Sequence, residues 1–127
     1  GDIQQTEAEL SRVSDLMAAV VQYAKTRPAF DGYKAAKYSR KYLAEHEAEL
    51  ADYRAAKATM AELLGGEKLP KMDVLKEKRR QLAARKKALY LEYRKAQQDM
   101  RELVAVKGSV DHLHGLTDNQ RNKEQAR

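Results

Sequence analysis

The sequence predicts an all-α protein, an antiparallel helical bundle or helical hairpin with one long, coiled-coil-like C-terminal helix. Three observations predict it. Apolar residues recur three and four apart almost throughout. Ala, Glu, Lys, Leu and Arg dominate a chain that is 35% charged, the composition of long helices. Two prolines and six glycines leave few places to turn. At 127 residues one domain is expected, with a core of Leu, Ala, Val, Met and Tyr, because Phe30 is the only Phe and there is no Trp.

The first helix is expected over residues 2–26, where Ile3, Leu10, Val13, Met17, Val20 and Ala24 share a face. Pro28 disfavours a helical Arg27, so a break is expected there, followed by a short helix over 28–37. Ser39 has the chemistry of an N-cap for a helix over 40–64, with Leu43, Leu50, Tyr53, Met60 and Leu64 inward and Gly65-Gly66 as its stop. Pro70 suits the first turn of a last helix over 70–113. Along that helix Leu75, Leu82, Leu89, Ala96, Leu103 and Val110 repeat every seven residues. The alternate seam positions are Met72, Arg79, Lys86, Tyr93, Met100 and Lys107, half of them cationic, so a dedicated zipper is not expected. Gly108 weakens this helix and Gly115 ends it. One domain over 1–114 and a polar, flexible tail over 115–127 complete the expectation.

Charge is unevenly placed. Residues 27–42 carry five basic and one acidic group, and residues 69–107 carry twelve and five. Residues 43–68 lean the other way, with three basic and six acidic. Arg80, Lys87, Arg94 and Arg101 form a stripe at seven-residue spacing, offset from the leucines, with Lys76 and Lys95 nearby. Cations in register on a helix neutralise phosphates and release counterions, giving affinity without sequence preference. The opposing reading is that the acidic 43–68 helix, through Glu45, Glu49 and Asp52, lies against the basic one and cancels it.

A second basic cluster, Lys37, Arg40 and Lys41, is interleaved with Tyr33, Tyr38 and Tyr42. Cations in a helix's first turn oppose its dipole unless an anion sits there. The tyrosines either fill the corner between two helices, the reading we favour, or offer a ring for a base to stack on.

No catalytic site is expected. Without Cys there are no thiolates. In Asp111-His112-Leu113-His114 the two histidines would share a face on a strand, where such a pair binds a divalent metal, but not on a helix. Neither a metal nor a cofactor is expected. No apolar run approaches the roughly 20 residues of a membrane span, and no signal-peptide pattern is present, so a soluble, intracellular protein without membrane insertion is expected. The oligomeric state is left open.

Several stretches, "YAKTR", "YKAAKYSRKYLAEHEAEL", "KLP", "KKALYLEYRKAQQDMRELVAVK" and "GLTDNQRNKEQAR", resemble in this order the C-terminal region of relaxases. These are the mobilisation nucleases of integrative conjugative elements (conjugative transposons) in Gram-positive gut bacteria. The Tyr-Ser-Arg-Lys-Tyr-Leu-Ala-Glu-His-Glu and Glu-Tyr-Arg-Lys-Ala blocks carry the likeness most specifically. The resemblance implies a bacterial cytoplasmic setting and a nicking tyrosine with a histidine-bound metal in an N-terminal domain that these residues do not include. It further implies that this part is not an enzyme. It would grip DNA at the transfer origin weakly and non-specifically, or dock accessory mobilisation proteins or type IV secretion coupling proteins.

Overall fold

Apolar spacing becomes four helices in the computed structural model, which describes the backbone of residues 1–126 and the side chains of residues 1–108. They are α1 (Asp2–Ala35), α2 (Arg40–Glu45), α3 (Glu47–Leu64) and α4 (Met72–Ala126), with no strand among the described residues. The expected all-α helical bundle is therefore present. The chain divides into two compact units, Gly1–Lys86 and Lys87–Arg127.

Within the first unit α1 and α3 are antiparallel. Arg12 near the start of α1 donates a hydrogen bond to the Leu63 carbonyl at the end of α3. Further along α1, Tyr23 and Phe30 both stack on Tyr53, with ring centroids 5.2 and 4.4 Å apart. Leu50, Tyr53 and Ala56 form the buried face of α3. A second cluster joins Val13, Leu16 and Met17 of α1 to Leu75 and Leu82 of α4, with Leu10, Met60, Leu63 and Leu64 packed around it. Lys86 reaches Glu7 at 3.9 Å.

Pro28 does not break the first helix; α1 runs through it to Ala35. A proline inside a helix costs about 3 kcal/mol because it removes a hydrogen bond and crowds the preceding turn. Packing beyond it offsets that cost. Ala29 is buried, Phe30 stacks on Tyr53, and the Ala29 carbonyl accepts a hydrogen bond from the Tyr42 hydroxyl at 2.7 Å.

The expected 40–64 helix is instead two, interrupted at His46 (φ −121°, ψ 25°). Its ring stacks on Tyr42 at 4.0 Å, and its Nδ1 lies 3.1 Å from the Tyr42 carbonyl oxygen. The one-residue break lets Tyr42 turn to α1 while Leu50 and Tyr53 keep their own burial. Gly65 (φ 55°) closes α3 in the left-handed conformation, as its sequence position foretold.

Pro70 precedes the last helix instead of opening it, and α4 begins at Met72 with Asp73 in its first turn. Its bounds pass both Gly108 and the expected stop at Gly115. The side chains of His112 and His114, and those of the expected tail, lie outside the described residues.

The leucine repeat keeps its register but not its burial. Leu75 and Leu82 are 3% and 7% exposed, because α1 and the end of α3 cover them. Leu89, in the second unit, is half-buried, and Leu103 is 64% exposed. The second unit by itself is a helix carrying Tyr93, Met100, Leu103, Val104 and Val106 in the open.

Candidate nucleic-acid interface

The basic cluster of the first unit is built by the turn between α1 and α2. Ala36 caps α1; the Lys37 amide then donates to the Lys34 carbonyl and the Tyr38 amide to the Tyr33 carbonyl, both at 2.9 Å. This pair of bonds is a Schellman ending, with Lys37 (φ 55°) in the left-handed place that glycine usually takes. Tyr38 follows at φ 60°, also left-handed. Its ring meets the Tyr33 ring edge to face, centroids 5.2 Å apart and planes at 87°, which supplies the apolar contact such endings carry. Ser39 then caps α2 as expected, its hydroxyl accepting from the Tyr42 amide at 3.3 Å.

The aromatic residues divide by environment. Tyr33 and Tyr42 are half-buried, their rings stacked at 6.0 Å, and they fill the corner as the favoured reading had it. Tyr38 does not: it is 59% exposed. Tyr42 fits only because residue 32 is glycine, since a Cβ there would meet the Tyr42 hydroxyl and lie 2.9 Å from its ring carbon. Deeper in, burial pushes the Tyr53 phenol above its ordinary pKa, and the neighbouring Tyr23 phenol adds to the rise.

Lys37, Arg40 and Lys41 are all exposed and make no ion pair among the described residues. Nearby, Asp31 is engaged by Arg27 at 3.9 Å and by Lys34 at 4.0 Å. On α4, Lys76 and Arg80 fall in the first unit and Lys87, Arg94 and Lys95 in the second, every one exposed. Arg80 differs from the rest. Its guanidinium forks onto the Glu77 carboxylate, with bonds of 2.9 and 2.6 Å. Those bonds hold the Glu77 carboxyl below its usual range and raise the Arg80 pKa further. Part of its charge is thus spent within α4.

The acidic helix does not cancel the basic one by pairing. Glu45, Glu49 and Asp52 are exposed and form no ion pair among the described residues, because the first turns of α4 meet α1 through Leu75, Leu82 and Lys86. Glu47 and Glu49 instead sit in the first turn of α3, where they complement its dipole.

Other chemistry is sparse. No group of three metal-ligating side chains comes together among the described residues. A cleft of about 400 Å³ in the first unit is lined by Glu9, Arg12, Leu16, Leu64, Pro70 and Lys78, among others. No described helix is long and apolar enough to cross a membrane.

Sequence reasoning missed the Schellman turn because Lys37 stands where glycine is the usual signal. The five-residue spacing of Tyr33 and Tyr38, which sets their rings together, was the cue that remained. A scan of protein-family models, a search of curated proteins and a search of solved structures each found no match for the chain.

Proposed function

We propose that the chain is a non-catalytic helical module that binds nucleic acid weakly and without sequence preference. In this reading it is an auxiliary DNA-gripping domain of a conjugative relaxase, working at the transfer origin in the bacterial cytoplasm. One observation carries the reading: Lys37, Arg40, Lys41, Lys76, Lys87, Arg94 and Lys95 are exposed and unpaired among the described residues. Free cations of this kind are what a phosphate backbone exchanges for its counterions. The resemblance to relaxase C-terminal regions supplies the biological setting.

The test is a salt-dependent DNA titration of wild type and a Lys87→Gln, Arg94→Gln, Lys95→Gln triple variant. The slope of log affinity against log salt should flatten by roughly two to three units. The melting temperature should barely move, since exposed charges contribute little to stability. A wild-type chain that shifts no DNA at about 100 μM overturns the proposal.

A second reading, docking of accessory or coupling proteins, is favoured by the exposed apolar row Tyr93, Met100, Leu103 and Val104. It would take the first reading's place if that titration showed no binding.

A further inference from the structure

Exposed cations alone do not distinguish one nucleic acid from another, because every phosphate backbone satisfies them. An aromatic face does. Bases in a duplex are stacked on one another and offer a protein only their edges, whereas an unpaired base offers its whole face.

Tyr38 stands apart from the ring-stacked aromatics of the first unit. Tyr23, Phe30 and Tyr53 stack in one group, and Tyr33, Tyr42 and His46 in another. Tyr38 touches Tyr33 only edge to face, so at least one face of its ring stays open to solvent. The ring rests against Tyr33, and the backbone that carries it is fixed. The Tyr38 amide is bonded to the Tyr33 carbonyl, its backbone sits in the left-handed region that bulky residues seldom occupy, and Ser39, the next residue, is the N-cap of α2. A preset ring loses little freedom when a ligand stacks on it. Lys37, Arg40 and Lys41 flank it in sequence, exposed and unpaired among the described residues.

The geometry points to a single-stranded nucleic-acid site at the α1–α2 turn, where Tyr38 stacks on an unpaired base while Lys37, Arg40 and Lys41 hold the flanking phosphates. This inference rests on the nucleic-acid reading above and adds the strand form and the residue that selects it. The bases are read by their faces, so the site is indifferent to sequence.

The experiment compares the full chain and its Tyr38→Leu and Tyr38→Phe variants on an oligothymidylate of about 15 nucleotides and on a duplex of equal length. Tyr38→Leu keeps an apolar contact for Tyr33 but has no π face. It should lose roughly 5- to 150-fold in affinity for the single strand, keep its affinity for the duplex, and leave the salt slope unchanged. Tyr38→Phe should bind like wild type. With seven tyrosines and no tryptophan, the wild-type chain reports stacking through tyrosine fluorescence. The oligothymidylate should quench a component that is missing from Tyr38→Phe. Unchanged single-strand affinity in Tyr38→Leu, or an equal loss on single strand and duplex, overturns the inference and leaves the general reading standing. No binding of either probe by wild type overturns both.

Discussion

Gly32 owes its place to Tyr42, whose ring lies against the helix where a side chain would stand. In an ordinary helix interior, alanine would be better than glycine by about 1 kcal/mol. Here the added methyl must push Tyr42 off its hydrogen bond to the Ala29 carbonyl, and overpacking of this kind costs about 1–3 kcal/mol. Gly32→Ala should therefore lower the melting temperature in the wild type and raise it in a Tyr42→Ala background. The same sign in both backgrounds would show that the contact does not govern residue 32. Ser39 was legible beforehand because a hydroxyl before a helix has one main use. Gly32 was not, since a glycine amid helical spacing gives no hint of a ring ten residues further along the chain. Lys37 hid for a related reason: a lysine bearing a positive φ looks like any other lysine in sequence.

At the level of elements, helical spacing was legible throughout, but its division into helices was not: the two expected before residue 38 are one, and the one expected over 40–64 is two. Pro28 and the 40–64 segment went astray for one cause, the aromatic corner, where Tyr42 and Tyr53 outweigh local preference. The heptad of α4 shows the limit of periodicity from the other side. Leu82 and Leu103 occupy the same phase, yet one is 7% exposed and the other 64%. Spacing says which residues share a face and nothing about whether that face is covered. Leu82→Ala should cost about 2–5 kcal/mol, and Leu103→Ala no more than about 0.5 kcal/mol. Equal costs in denaturant melts of the isolated chain would mean that Leu103 is covered in solution.

For the whole molecule, the net charge of +6 matters less than how it is partitioned. Candidate cations read from sequence proved exposed throughout, but only side-chain geometry revealed that Arg80 is tied to Glu77. The carboxyl pKa of Glu77 is lowered by that bond, so the pair holds above the ordinary glutamate range and is lost as pH falls through the lowered value. Glu77→Gln should release Arg80 at neutral pH. The salt slope of DNA binding should then steepen by a little under one unit, with the melting temperature almost unmoved. An unaltered slope would place Arg80 outside the interface.

Pro28 leaves a mark on the order of events as α1 forms. The turns before it can propagate as an ordinary helix, each new amide finding its carbonyl four residues back. Propagation meets a missing donor at Pro28. Residues 29–35 gain their reward only when Tyr42 and Tyr53 arrive from further along the chain. The last two turns of α1 are thus expected to form with α2 and α3 rather than with the turns before them. Amide exchange should then show residues 29–35 losing protection in Tyr42→Ala while residues 13–24 keep theirs.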